Sequence, residues 1–198
     1  MHIYGLTGGI AAGKTKVSQY FRELGAAVVD ADVLARKAVE PGSAGLRAID
    51  RHFPGVLDPH GQLDRSKLGR LIFNQANQRT LLNSILHPLI HVLYLSEINH
   101  YQSQGAGEVI YDAALLLENG LQVQMNGVIL VVASLEVRLQ RLMSRNGFSE
   151  KEARVRVESQ MPQDAKLRHA RWVIENTGTY ESTQHQVANV FEQIKQLR

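Results

Sequence analysis

The sequence predicts an α/β fold, a three-layer αβα sandwich around a central parallel sheet, and three observations carry that prediction. The first 30 residues run through an apolar segment, a glycine turn, an amphipathic segment and a second apolar segment. Two later stretches, residues 108–112 and 128–132, are continuous apolar runs of strand length, the pattern of strands covered by helices on both faces. The last stretch places Val187, Val190, Phe191, Ile194 and Leu197 at helical spacing, an amphipathic helix turned toward the sheet.

Taken in order, Ile3 to Leu6 is a short buried strand, and Lys14 to Leu24 a helix with Val17, Tyr20, Phe21 and Leu24 on one face, stopped by Gly25. Ala27 to Asp30 is the second strand, which completes a right-handed βαβ unit. From about Val33 to Leu86 strand-like runs disappear. Short helical patterns alternate there with breakers at Pro41-Gly42, Pro54-Gly55 and Asp58-Pro59-His60-Gly61, so residues 33–86 are expected to form a helical insertion in one domain. Pro88 is expected to open a longer helix with Ile90, Leu93, Tyr94, Ile98 and Tyr101 on one face, ending before Gly105. After the two central strands, Leu135 to Arg145 and Ser149 to Gln160 form two polar helices. The second starts on a capping box of Ser149 with Glu152, and Pro162 ends the pair. Trp172 to Glu175 is the last strand.

Composition narrows the function. A chain of 198 residues with 44% hydrophobic content can bury a full core as one domain. The formal charge of +3 suits an anionic ligand, yet no block of five or six like charges marks a nucleic-acid tail, so small phosphorylated substrates are expected rather than nucleic acid. With no cysteine there is neither a disulfide framework nor a thiolate nucleophile, which agrees with a cytoplasmic protein. No secretory leader is expected at the amino terminus, where the apolar stretch is short and lacks a basic flank. No apolar run approaches the roughly 18 residues of a membrane helix, so no membrane partner is expected.

Residues 8–15, Gly-Gly-Ile-Ala-Ala-Gly-Lys-Thr, match the phosphate-binding pattern G-x-x-x-x-G-K-[ST] between a strand and a helix, where its mechanism requires it. The backbone N–H groups of Gly8, Gly9, Ala11, Ala12 and Gly13 and the helix N-terminus would surround the phosphates of ATP. Lys14 would reach the β and γ phosphates, Thr15 would ligate Mg2+, and Lys16 lies next along the helix. Kinases, GTPases and ATP-driven machines all carry such a loop. No N-K-x-D guanine motif occurs, which weighs against a GTPase.

Asp30-Ala31-Asp32 stands at the carboxyl end of the second strand, the edge of an open α/β sheet where ligands bind. Either acid alone also suits a helix cap. Asp112, after Val109-Ile110-Tyr111, has the setting of an acid that holds magnesium. His87 and His91 are four apart, but Pro88-Leu89-Ile90 lacks the glutamate of a zinc protease helix.

Together with Gly5-Leu6-Thr7-Gly8-Gly9-Ile10 and Asp30-Ala31-Asp32, the chain carries Leu86-His87-Pro88, Asp112 followed by Leu115-Leu116-Leu117-Glu118, Arg141-Leu142 with Arg145, and Ile174-Glu175-Asn176-Thr177-Gly178. In this order and spacing, nearly end to end, the series resembles the dephospho-CoA kinase family. The resemblance implies a P-loop NTPase fold and transfer of the ATP γ-phosphoryl to the ribose 3′-hydroxyl of dephospho-CoA, the last step of coenzyme A synthesis. It implies Asp32 as the carboxylate facing that hydroxyl, Asn176 in the nucleotide site, and His87, Leu115, Leu116 and Glu118 on the acceptor side. The family usually has a glycine and a serine where this chain has Ala11 and Ala12, and alanine at a position of positive φ costs about 1 kcal/mol. Ala114 and Leu117 replace its usual proline and phenylalanine.

Residues 138–171 hold nine of the 22 Lys and Arg against four acids. Within it, residues 138–170 are expected to form an arginine-rich lid, with Arg141 and Arg145, one turn apart, engaging the transferring phosphoryl. A kinase for another nucleoside or nucleotide acceptor fits the same core, and a nucleotide-switched binding protein is the reading from a different class. The chain is expected to be a monomer or weak homo-oligomer.

Overall fold

The structure, a computed structural model, describes residues 1–73 and 75–197. The chain divides into two compact units, Met1–Val29 with Tyr101–Arg198, and Asp30–His100. The first unit opens with β1 (His2–Gly8), α1 (Lys14–Glu23) and β2 (Ala27–Asp30). The second is helical, with α2 (Ala31–Lys37), α3 (Ala44–His52), α4 (Arg65–Ile72) and α5 (Ala76–Ser103). The chain then returns through β3 (Glu108–Asp112), a 3-10 turn at Leu121–Gln124, β4 (Gly127–Val132), α6 (Leu135–Asn146), α7 (Glu150–Glu158), α8 (Gln163–Leu167), β5 (Trp172–Glu175) and α9 (Tyr180–Lys195).

The strand order is β2-β3-β1-β4-β5, and β1 runs parallel to both β3 and β4, as β4 does to β5. Continuous apolar runs earn central places because helices cover both faces of a parallel sheet. Ile129, Leu130 and Val131 are accordingly without solvent exposure. One core cluster joins Leu6, Ile129, Val131 and Ile174 of the sheet to Val17 and Phe21 of α1 and Val187, Phe191 and Ile194 of α9, where the rings of Phe21 and Phe191 meet edge to face at 6.0 Å. The expected helix faces lose their last members. Leu24 is the C-cap of α1 and Leu197 lies beyond the end of α9, and both are exposed because neither has a helical turn over the sheet.

In the helical unit, Val39, Ile49, Phe53, Val56, Leu68 and Leu82 form a second core, against which Leu81, Ile85 and Leu86 pack. This packing corrects the expectation that a helix starts at Pro88. Proline removes one helical hydrogen bond, but the turn before it is held down on that core, so α5 runs through Pro88 as one 28-residue helix. By length and composition alone, α5, with mean hydropathy 1.3 over 18 residues, passes the test for a membrane span that the sequence was expected to fail. Among its described residues Leu82 and Ile98 are the buried ones. Asp58 to Gly61 is the expected turn: Gly61 N–H donates to Asp58 O at 3.0 Å, and the Asp58 carboxylate accepts from His60 N and Gln62 N.

Candidate active site

The parallel register brings the carboxyl ends of the strands in the first unit to one edge. Leu6 pairs with Asp112, Gly8 with Val131, and Val132 with Glu175, so the segment after β1, the end of β3 and the segment after β5 lie side by side. Residues 9–13 cross this edge into α1. Ser43, Asp64, Ser134, Ser149 and Thr179 cap their helices with side-chain oxygens, and Asp30 caps α2, but the N-cap of α1 is Gly13, with no side-chain cap and no acid in the first turn. A helix start that keeps its N–H groups and its positive end of the dipole uncovered is suited to an anion.

Glycine is required at Gly13 twice over. Its φ is 95°, and a Cβ there would stand 1.9 Å from Asn176 Nδ2. At Gly9 a Cβ would lie 2.5 Å from a guanidinium nitrogen of Arg138, so a larger residue there would displace that side chain. Ala11 occupies the left-handed region at φ 61°, as the sequence led one to expect of one of the two alanines, at a cost of about 1 kcal/mol. Ala12 is instead fully buried in the sheet core.

Side chains from the far end of the chain hold this loop. Asn176 Nδ2 donates to Ala12 O at 2.8 Å, and its Oδ1 accepts from Thr183 at 3.1 Å. Arg141 donates to Ala11 O, Ala12 O and, at 2.8 Å, Asn176 O. Arg138, 6% exposed, donates through Nε to Ile10 O at 3.0 Å, and its burial pushes the guanidinium pKa down. Gln160 Oε1 accepts from Ile10 N–H at 2.6 Å. Ile10 and Ala11 also pack on the apolar cluster of Leu139, Leu142 and Ala153, which seats the loop on α6 and α7.

Lys14 Nζ donates to Asp112 Oδ1 in a partly buried ion pair. Thr15, the second residue of α1, is exposed, and Lys16 lies over the rings of Tyr20 and Tyr180, at 5.1 and 5.7 Å from their centroids. Gly8, Gly9, Ala11, Ala12, Gly13, Lys14, Asp112, Arg141 and Asn176 are therefore brought together as one loop with its supports. Arg145 is not among them; one turn further along α6 it is exposed and bonds Asn146 at 2.9 Å.

Beyond β3, the two leucines expected at an acceptor wall part company, because the chain turns between them. Leu115 is exposed, whereas Leu116 is wholly buried beneath Gly5. The Glu118 carboxylate, expected on the acceptor side, accepts from Lys166 Nζ at 2.7 Å and from Met161 N at 3.3 Å. In the helical unit Asp30 caps α2 by accepting from Asp32 N and Val33 N, and Asp32 stands exposed in the first helical turn. His87 is exposed on α5 rather than in a core, since the buried side of that helix runs through Leu82, Ile85 and Leu86. His91 stacks on Tyr94 at 6.0 Å. Among the described residues no cluster of His, Cys, Asp or Glu could hold a metal ion by itself.

Arg138 and Lys166 entered the sequence reading only among the lid's cations, without a role of their own, and Gln160 was not singled out. For Arg138 a signal existed, a charge beside Leu139 and Leu142 on the apolar side of its helix. The short α8 has too few residues for a periodicity that would have marked Lys166 as buried.

A family model described as dephospho-CoA kinase matches residues 2–182. The chain is 43% identical to a dephospho-CoA kinase of Geobacillus kaustophilus over 190 residues, covering 96% of this chain and 94% of the relative. The crystal structure of TT1252 from Thermus thermophilus superposes with a TM-score of 0.86 at 34% identity, covering 97% of each chain. A dephospho-CoA kinase from Campylobacter jejuni superposes with a TM-score of 0.71 at 25% identity, covering 97% of this chain and 96% of that one.

Proposed function

The chain belongs to the dephospho-CoA kinase family, and from that premise we infer how its residues divide the work of moving the ATP γ-phosphoryl to the ribose 3′-hydroxyl of dephospho-CoA. The observation that carries the reading is the phosphate loop itself, with an uncapped helix start, Lys14 beside Asp112, and Arg141 and Asn176 fixing its carbonyls. Phosphoryl transfer has a loose transition state, so holding the donor and the acceptor in line matters more than covalent chemistry. The amides of residues 11–15 and the Lys14 ammonium neutralise the phosphate oxygens. Arg141, with its guanidinium on the loop, ties the lid helix α6 to the donor site.

Thr15 and Asp112 fit a magnesium ion, since an exposed hydroxyl in the first turn of α1 and a carboxylate beside Lys14 are hard oxygen donors. When bound, Mg2+ would draw charge from the phosphates. Asp32 is the proposed acceptor carboxylate. It follows the end of β2, its neighbour Asp30 is committed to the helix cap, and its own side chain is exposed. It would accept the proton of the 3′-hydroxyl or hold that hydroxyl for attack on the γ-phosphorus, with ADP as leaving group. Residues 33–86 and Leu115 are assigned to the acceptor, and residues 138–170 to the lid.

The test is release of ADP with dephospho-CoA, with nucleosides, with single-stranded DNA and with no acceptor. Release that depends on dephospho-CoA is expected. Equal release without any acceptor would make the protein a nucleotide hydrolase and overturn the reading.

A further inference from the structure

Ala11 is the one described residue other than glycine with positive φ, and the residue before it, Ile10, is held by the lid segment through both its carbonyl and its N–H. Arg138 Nε donates to Ile10 O at 3.0 Å, and Ile10 N–H donates to Gln160 Oε1 at 2.6 Å. A backbone N–H can only donate, so the Gln160 atom in contact is the side-chain carbonyl. Gln160 stands just past the end of α7, in the turn before Pro162. That turn is fixed in its own right. The next residue, Met161, donates its N–H to Glu118 at 3.3 Å, and the same carboxylate oxygen accepts from Lys166, 1% exposed, at 2.7 Å. A turn anchored by a buried ion pair presents its glutamine to the loop with little freedom to move away.

We propose that Gln160 is a positioning residue for the phosphate loop, holding Ile10 so that Ala11 stays in its left-handed conformation, with Glu118 and Lys166 fixing the turn that carries it. This rests on the kinase reading and deepens it: nucleotide affinity depends on a side chain that lies outside the loop and reaches the phosphates only through Ile10. The dependence arises from the alanine. Glycine adopts positive φ without cost and needs less restraint, so a chain with glycine at position 11 would rely less on Gln160.

The test is a double-mutant cycle on ATP affinity, measured by calorimetry without acceptor on the full chain. Gln160→Met keeps the length of the side chain and removes the acceptor, and it is expected to weaken ATP binding about tenfold, with the KM for dephospho-CoA unchanged. In the Ala11→Gly background the same substitution is expected to cost no more than about threefold. A purely structural role would lower the melting temperature alike in both backgrounds and leave the ATP affinities equal. Gln160→Ala, at a partly exposed position, gives the same comparison if the methionine is not tolerated. Wild-type ATP affinity in the Gln160 variant, or an equal loss in both backgrounds, would overturn the proposal. Failure of the wild-type protein to phosphorylate dephospho-CoA would overturn the kinase reading instead, and the binding cycle would still report on Gln160.

Discussion

Lys14 of the phosphate loop and Asp112 at the end of β3 form an ion pair in which the carboxylate is 2% and the lysine side chain 12% exposed. The lysine is thus not a free cation waiting in solvent. Arriving phosphates compete with Asp112 for it, and the carboxylate becomes available to another cation as the lysine turns to the ligand.

Lys14→Ala is therefore expected to lower kcat by at least about 10²-fold, because charge on the transferring phosphoryl loses its stabilisation. It should also lower stability by about 1 to 3 kcal/mol, because a buried carboxylate loses one of its partners. Circular dichroism should stay native. Near-normal turnover would remove the lysine from the mechanism.

The two lid arginines are expected to separate. Arg141 braces three carbonyls of the nucleotide site, so Arg141→Ala should raise the KM for ATP as well as reduce kcat, by about tenfold or more. Arg145 bonds its neighbour Asn146 rather than the loop. If it closes over the phosphoryl during transfer, Arg145→Ala lowers kcat with the KM for ATP intact; steady-state kinetics with no change in either constant would assign Arg145 to the surface.

For the acceptor carboxylate, Asp32→Asn keeps size and hydrogen bonding but cannot take a proton. We expect kcat to fall by roughly 10² to 10⁴ with ATP affinity nearly unchanged. Asp30→Asn should cost little, since asparagine caps a helix as well as aspartate does. Single-turnover rates with dephospho-CoA decide, and a wild-type rate in Asp32→Asn would exclude that residue.

Gly13→Ala combines a strained φ with a collision at Asn176. A loss of about 2 to 4 kcal/mol is expected, with ATP binding abolished. Chemical denaturation with and without ATP reads both effects. A variant that ATP still stabilises would show that Asn176 can leave its place.

The pH dependence has a defined sign at the α7 capping box. Hydrogen bonds from the Ser149 side chain and backbone hold the Glu152 carboxyl below its ordinary pKa. The native state thus favours the charged form, so this contribution is complete above the unfolded value, about 4.3, and is lost as pH falls through the lower folded value. Glu152→Gln should flatten that part of the acid unfolding curve, and an unchanged curve would show that the cap does not contribute.

The sequence by itself determined the sheet, the phosphate loop and the family. Apolar runs of strand length have no stable place in water, glycines at 8, 9 and 13 with Lys14-Thr15 fit one kind of turn, and Ser149 with Glu152 marks a helix start through local hydrogen bonds alone. Tertiary structure decided what depends on neighbours distant in the chain. Pro88 stays inside α5 because Leu82 and Leu86 are held on a core made by other helices. Leu115 and Leu116, adjacent and chemically alike, divide into a surface and a buried residue because the chain turns between them and seats Leu116 against Gly5. Arg138, Gln160 and Lys166 look like any polar lid residues until the fold carries them to the carbonyl of Ile10, its N–H and Glu118. Hydrogen bonds spanning 128 to 150 residues leave no periodicity in a sequence, since periodicity records only which side of one element faces the core.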